Sequence, residues 1–234
     1  NMSKTICGYN LFNINIIKSN IKDIYFEDNI IKVGSGLMLS ALDNIALKNN
    51  ICNFNFLRTI PGSVGGALIM NASFLGETIS DSLLEIEGFD YMNRYIKLKK
   101  EDIIFFYRYS NIKEILKIVT YAYFKSNYAD KREIEERIIT AYNYRKKQPN
   151  IKYTLGSAFK NKKDMKAYEL IQNVDKYEYK TFKVNKIHKN FLEFVPNSKG
   201  YEIRNDLLSF KNNVETSSGE SLEFEIQSLY DIYK

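Results

Sequence analysis

An α+β fold is predicted by three observations on the sequence. Short apolar segments occur in pairs separated by turn residues; one long amphipathic segment carries both helix start and stop signals; and beyond it strand-like and helical segments alternate over about 80 residues, enough for a second compact domain. Lys22 to Phe26 and Ile30 to Val33 flank Glu27-Asp28-Asn29, whose polar side chains suit a hairpin loop. Leu39 to Asn49 reads as a short helix. Leu83 to Phe89 and Arg94 to Leu98 form a second strand pair around Asp90 to Asn93, and Ile115 to Phe124 is a further β-rich run.

The helix with the clearest limits begins at Asp130. Glu133 lies at capping distance along the chain, Ile134, Ile138 and Ala141 share one face, and Pro149 stops the helix. It sets the boundary between two predicted domains, 1–147 and 148–234. In the second, Ala167 to Gln172 reads as a short helix, Thr181 to Val195 as two strands, and Arg204 to Val214 as a helix. A turn over Thr216 to Glu220 then leads into a strand, Leu222 to Leu229, that is expected to return to the sheet of the first domain.

Composition narrows the function classes. With 234 residues, 44% hydrophobic and 26% charged, the chain has the make-up of an ordinary folded soluble protein. No apolar run approaches the roughly 18 to 20 residues of a membrane span, and no basic flank precedes an apolar stretch at the start, so no membrane association and a cytoplasmic location are expected. Cys7 and Cys52 have neither CxxC nor metal-ligand spacing, so no disulfide framework and no metal site are expected. The net charge of +6 comes from lysines spread along the chain and mixed with acids, as in Asp130 to Lys147. The wide use of Ile, Asn, Lys and Tyr points to a nucleotide-composition bias, so charge alone does not predict a nucleic-acid partner; a basic anion pocket stays open.

Several segments carry chemistry. Ile60-Pro61-Gly62-Ser63-Val64-Gly65-Gly66-Ala67 runs into Leu68-Ile69-Met70-Asn71-Ala72, and its glycines would let backbone N–H groups approach a phosphate; the competing reading is a tight turn packed on a neighbour. It has neither GxGxxG nor Walker A spacing. Arg108, in Tyr107-Arg108-Tyr109-Ser110, follows an apolar strand end, where it suits an anion or a structural ion pair. Arg145-Lys146-Lys147-Gln148-Pro149 and Gly156-Ser157-Ala158-Phe159-Lys160-Asn161 combine cationic, amide and hydroxyl groups. His188, the sole histidine, has no nucleophile partner and reads as structural. Glu223 and Glu225 alternate with apolar residues and would share one strand face, by default a solvated edge.

Taken in order, IPGSVGGALIMNA, YRYS, RKKQP, GSAFKN, HKNF and LEFE resemble the signature segments of the UDP-N-acetylenolpyruvoylglucosamine reductase family, over about residues 34 to 226. The direct passage from Gln148-Pro149 to Gly156-Ser157 resembles the shorter subtype, without an inserted loop over the substrate. The resemblance implies an FAD-binding domain of the PCMH or vanillyl-alcohol-oxidase type followed by a smaller α+β domain for a UDP-sugar. It implies an NADPH-dependent flavoprotein oxidoreductase of peptidoglycan precursor synthesis, acting as a monomer on UDP-N-acetylglucosamine enolpyruvate. Gly62, Ser63, Val64, Gly65, Gly66 and Asn71 then contact FAD. Ser157 becomes the proton donor, with Arg108 and Glu225 on the enolpyruvyl carboxylate, and Tyr107, Gln148, Lys160 and Asn161 are assigned to the substrate.

Two departures accompany these matches. The family's GGGSN-type flavin loop would fall at Asn1-Met2-Ser3, so the FAD domain is expected to be N-terminally incomplete. The family's glycine pair and serine before the histidine are replaced by Phe182-Lys183 and Asn185. A flavin- or nucleotide-binding module without turnover is therefore the alternative, and a basic nucleic-acid-binding protein a second one.

Overall fold

The computed structural model describes residues 5–6, 17–171 and 177–228. Its elements in chain order are β1 (Thr5–Ile6), β2 (Ile24–Glu27), β3 (Ile30–Gly34), α1 (Leu39–Lys48), α2 (Val64–Ile69), β4 (Ser73–Phe74), β5 (Glu77–Thr78), β6 (Leu83–Asp90), β7 (Tyr95–Lys99), β8 (Phe105–Phe106), β9 (Tyr109–Ser110), α3 (Ile112–Ile115), β10 (Leu116–Lys125), α4 (Lys131–Lys146), α5 (Ala167–Leu170), β11 (Phe182–Val184), β12 (Leu192–Phe194), α6 (Gly200–Ser218) and β13 (Gln227–Ser228). The mixture is α+β. The chain divides into two compact units, one of Ile16–Lys146 and one of Lys147–Lys234 together with Met2–Asn15.

In the first unit an antiparallel sheet runs β2-β3-β10-β6-β7. The predicted hairpin is present: Glu27 pairs with Ile30 around Asp28 and Asn29, and Asp28 takes a φ of 49°, tolerated by a short polar side chain. Strand alternation decides which residues reach the core. Ile31, Val33, Ile86, Ala122 and Phe124 are fully buried with Leu42, Ile51, Leu57 and Leu68, and the Phe54 ring meets Phe124 edge-on at 5.2 Å. Helix α4 is capped as read, Glu133 N–H donating to Asp130 Oδ1 at 2.8 Å, and buries Ile134 and Ala141.

The outer sheet face has its own buried charge. Glu87, 4% exposed, accepts from Tyr95 Oη at 2.7 Å, Tyr123 Oη at 2.6 Å and Lys97 Nζ at 2.8 Å, with Lys32 Nζ at 3.4 Å. Burial opposes its ionisation, but the Lys97, Tyr123 and Tyr95 bonds and the Lys32 charge outweigh that and hold the carboxyl at about 2. A pKa lowered on folding gives stability that is present above the ordinary value near 4.5 and is lost as pH falls from there toward 2. Glu87→Gln should therefore cost on the order of 2 kcal/mol at pH 7, after allowing for screening at the exposed ends of the lysines. Urea midpoints of wild type and variant should converge between pH 5 and about 2.5; a gap independent of pH would contradict the network. A shallow groove between Tyr25, Lys32, Tyr121 and Tyr123 opens on this face, opposite the side on which Val64 and Leu68 of α2 are buried.

In the second unit, β11 and β12 form a hairpin and β1 pairs in parallel with β13. Its core gathers Phe159, Phe182, Phe210, Leu192 and Val214, with the Phe159 ring 5.5 Å from Phe210 and 5.0 Å from Phe224. Three expectations change. Helix α6 is longer than Arg204 to Val214 and absorbs Thr216 to Ser218; it ends where Gly219 takes a φ of 74°, which a glycine adopts without strain. The C-terminal segment is not one strand returning to the five-stranded sheet: Phe224 bridges Phe159 and β13 pairs with β1. Glu223 and Glu225 consequently differ in environment, Glu223 exposed and Glu225 buried at 6%. The short helix seen in sequence up to Gln172 is α5; Gln172, like Cys7 and Asn1-Met2-Ser3, lies outside the described residues.

Candidate functional site

The glycine-rich segment of the first unit is laid against residues 35–39 by backbone bonds: Leu39 N to Gly62 O at 3.0 Å, Val64 N to Leu37 O at 2.9 Å and Gly65 N to Ser35 O at 2.8 Å. The sequence reads this segment as a loop or turn, yet Val64 onward winds into α2 despite two glycines. Gly65 is tightly packed, since a Cβ there would stand 3.1 Å from Ser35 Cβ and 3.2 Å from its carbonyl oxygen, so that Ser35 would have to give way. Gly66 is not. It is exposed, and an added Cβ would meet only Ser63 Oγ, at 3.7 Å, so its bareness leaves open backbone that a side chain would cover. Asn71, just beyond α2, is 6% exposed with a φ of 40°; its Nδ2 donates to Phe106 O at 3.1 Å, while Oδ1 is buried with no hydrogen-bond partner among the described residues.

Arg108 sits at the tip of a small hairpin. Phe106 pairs with Tyr109, leaving Tyr107 and Arg108 as the two-residue loop, and Arg108 takes a φ of 56°. Three side chains tie this hairpin to the end of α2 and to β4. Ser110 Oγ, fully buried, shares its proton between Leu68 O at 2.9 Å and Ile69 O at 3.0 Å; Asn71 holds Phe106; and Arg108 Nη1 donates to Ser73 Oγ at 2.6 Å. The Arg108 guanidinium lies 4.8 Å from the centroid of the exposed Tyr107 ring. Here the fold brings together seven predicted positions: Gly62, Ser63, Val64, Gly65, Gly66 and Asn71 with Arg108, Tyr107 flanking them.

The second unit assembles Ser157 and Glu225. Residues 157–160 form an extended segment between two others: Ser157 bridges Phe191, Ala158 N donates to Asn190 O at 2.8 Å, and on the other side Glu225 N donates to Ala158 O at 2.8 Å and Lys160 N to Glu223 O at 2.8 Å. Asn190, 2% exposed, completes the segment, its Oδ1 accepting from Phe159 N and its Nδ2 donating to Phe159 O, both at 2.9 Å. Lys160 Nζ is hydrogen-bonded to the Glu223 carboxylate. Asn161 Oδ1 caps α5 through Ala167 N at 3.0 Å, and Gln148 is half-buried ahead of Pro149.

The departure at Asn185 has a structural role. Its Oδ1 accepts from Ile187 N at 2.9 Å and His188 N at 2.8 Å, while its Nδ2 bonds Glu193 Oε1 at 2.5 Å, so it builds the turn that carries His188. His188 packs between Tyr168 and Phe191, and burial lowers its pKa. Sequence reasoning passed over Ser73, Thr59, Ser110, Asn190 and the individual role of Arg145. Ser110, Asn190 and Arg145 lie inside segments it had singled out; Ser73 and Thr59 carry no such signal. Among the described residues no group of three or more His, Cys, Asp or Glu could hold a metal ion, and no helix is long and apolar enough to cross a membrane.

Fold and site thus define an α+β protein with chemically equipped segments in each of two units. No family model matches the chain. It is 33% identical over 214 residues to the UDP-N-acetylenolpyruvoylglucosamine reductase of Rickettsia massiliae (strain Mtu5), a match covering 90% of this chain and 72% of the relative. It is 33% identical over 230 residues to the reductase of the same name from Pelagibacter ubique (strain HTCC1062), covering 95% and 72%. The crystal structure of UDP-N-acetylenolpyruvylglucosamine reductase from Thermus caldophilus is similar with a TM-score of 0.72 and 27% identity, over 84% of this chain and 71% of that one. The chain belongs to the UDP-N-acetylenolpyruvoylglucosamine reductase family.

Proposed function

We propose that this protein reduces UDP-N-acetylglucosamine enolpyruvate to UDP-N-acetylmuramate with NADPH, as a step of peptidoglycan precursor synthesis. The observation that carries this reading is that, in a chain of this family, the fold draws Ser157 and Glu225 onto neighbouring segments joined through Ala158 O. In this reading 1–147 is the FAD-binding domain, of the PCMH type, and 148–234 the UDP-sugar domain. The open backbone at Gly66 and the buried Asn71 Oδ1, without a hydrogen-bond partner among the described residues, fit a flavin nucleotide, which offers phosphate oxygens to N–H groups and a ring N–H to an acceptor. Gly62, Ser63, Val64, Gly65, Gly66 and Asn71 would hold it.

Bound FAD would supply the hydride, taken from NADPH, that the enolpyruvyl methylene carbon accepts. The protein's own residues do the rest. Arg108 pairs with the substrate carboxylate and stabilises the negative charge on the adjacent carbon. Ser157 Oγ–H gives that carbon its proton and recovers one from water. Glu225, buried on the segment beside Ser157, joins Arg108 in polarising the enolpyruvyl carboxylate and stabilising the enolate-like intermediate. Tyr107, Gln148, Lys160 and Asn161 are assigned to the UDP-sugar; Lys160 must exchange the Glu223 carboxylate for the diphosphate, and Asn161 keeps its Oδ1 on the α5 cap.

The test is spectroscopic. Protein expressed from its full reading frame is mixed with FAD, and anaerobic NADPH and then UDP-N-acetylglucosamine enolpyruvate are added in turn. Flavin bands that bleach with NADPH and return with the sugar are expected. Protein that takes up no FAD refutes the flavin assignment, and FAD uptake without the second step identifies a binding module that does not turn over.

A further inference from the structure

Helix α1 grips the approach to the glycine-rich segment at two points one turn apart. Its first residue, Leu39, donates its N–H to Gly62 O at 3.0 Å, and Asp43, four residues on, takes Arg58. The Asp43 carboxylate is fully buried: Oδ2 accepts from Arg58 Nη1 at 2.5 Å and Oδ1 from Asn55 Nδ2 at 2.8 Å. Helix α4 holds the same stretch. Arg58 Nε donates to Tyr142 Oη at 3.2 Å, while Arg145 donates from Nε to Thr59 Oγ1 at 3.2 Å and from Nη2 to Thr59 O at 3.0 Å. Residues 58–62 are thus pinned at both ends, and directly beyond them Ser63 bridges Met38 and Val64 opens α2. We infer that Asp43, acting through Arg58, is a positioning residue for the flavin: it sets the register in which Gly62 to Gly66 present their backbone to the nucleotide.

A fully buried carboxylate is a costly way to fasten a helix to a loop. Desolvating the two charges consumes much of what their attraction returns, and apolar residues of similar size would pack α1 about as stably. What the pair supplies is geometry. A guanidinium on a carboxylate admits few arrangements of Arg58 against α1, whereas apolar contacts tolerate sliding. The setting is passed on along the chain, because Arg58 N donates to Asn55 O at 3.3 Å and Ile60 N to Leu57 O at 2.9 Å, so the residues on either side of Arg58 share one short turn that leads to Gly62. Little slack exists further on, where Gly65 lies against Ser35. Only the identity of the nucleotide, FAD, rests on the reductase reading.

The test uses the full chain without turnover. Asp43→Asn keeps the shape of the side chain and an acceptor for Asn55 but removes the charge that holds Arg58. Its FAD dissociation constant, read from quenching of flavin fluorescence, should rise tenfold or more, and amide exchange at residues 60–66 of the FAD-free protein should accelerate by a similar factor relative to β6 and β10. Glu87→Gln is the control, since it removes a buried carboxylate of the same unit on the outer sheet face; its FAD affinity should stay within twofold of wild type, with no selective acceleration at 60–66. Arg58→Lys, a cation without the fork, should bind FAD better than Arg58→Met, and it replaces Asp43→Asn in the comparison if that variant fails to fold. FAD affinity in Asp43→Asn within twofold of wild type, or a loss matched by Glu87→Gln, overturns the inference. Wild type that takes up no FAD refutes the reductase reading instead, and exchange then decides alone: selective acceleration at 60–66 upholds Asp43 as the residue that positions this loop, and acceleration spread evenly over the unit overturns it.

Discussion

Ser157→Ala is expected to leave reduction of the flavin by NADPH within about twofold of wild type while slowing its reoxidation by the enolpyruvyl sugar by about 10²- to 10⁴-fold, the usual worth of a positioned general acid. Burst and single-turnover absorbance at the flavin bands separates the two half-reactions. The fold makes this a clean substitution. Ser157 is held through its backbone bridge to Phe191, and its neighbours Ala158 and Phe159 are fixed by Asn190 and Glu225 main-chain and side-chain bonds, so removing one hydroxyl leaves the segment in place. Equal losses in both half-reactions would show that Ser157 acts on binding or folding and not on the proton.

Asn190→Ala should have the largest effect on stability among the residues around Ser157. The side chain is 2% exposed and satisfies both the N–H and the C=O of Phe159, whose own ring sits at the centre of the second core. Removing it strands a buried donor and a buried acceptor, each at about 1 to 3 kcal/mol, so a total near 3 kcal/mol is expected in chemical denaturation. Asn190→Asp should recover less than half of this, because a carboxylate cannot donate to Phe159 O. Loosening this segment should also slow the proton-dependent half-reaction while sparing flavin reduction by NADPH. Unchanged stability in both variants would mean that water or main-chain adjustment replaces the amide.

The strand pairs, the α4 cap and its buried face were readable in the sequence because each rests on local chemistry: turn residues at Asp28 and Asn29, an aspartate before a helix, apolar residues at helical spacing. What escaped depends on distant neighbours. Helix α2 contains Gly65 and Gly66, the poorest residues for a helix short of proline, and forms because residues 62–65 lie bonded against 35–39 with little room for a side chain at Gly65. The alternation Leu222-Glu223-Phe224-Glu225-Ile226 suggested a regular strand. The N–H groups of both Glu225 and Ile226 instead turn toward Ala158 O, at 2.8 and 3.4 Å, which breaks the ladder and takes Glu225 inward while Glu223 stays out with Lys160. Arg108 was noticed because it follows an apolar strand end. Arg145 was quoted only as part of a basic run, since an arginine at a helix C-terminus ordinarily complements the helix dipole, and nothing local announces that Thr59 and Phe74 meet it.

The docking of the Arg108 hairpin onto α2 and β4 through Ser110, Asn71 and Ser73 has a consequence for how this surface can vary over generations. Residues from two separated stretches of chain, near 62–74 and 105–110, should therefore vary as a single block. A change at Asn71 or Ser110 would be felt at the arginine without touching it, so substitutions in one stretch should be tolerated only when the other accommodates them. Grafting the arginine turn alone onto a related scaffold should fail, whereas moving both stretches together should carry the guanidinium with its orientation intact.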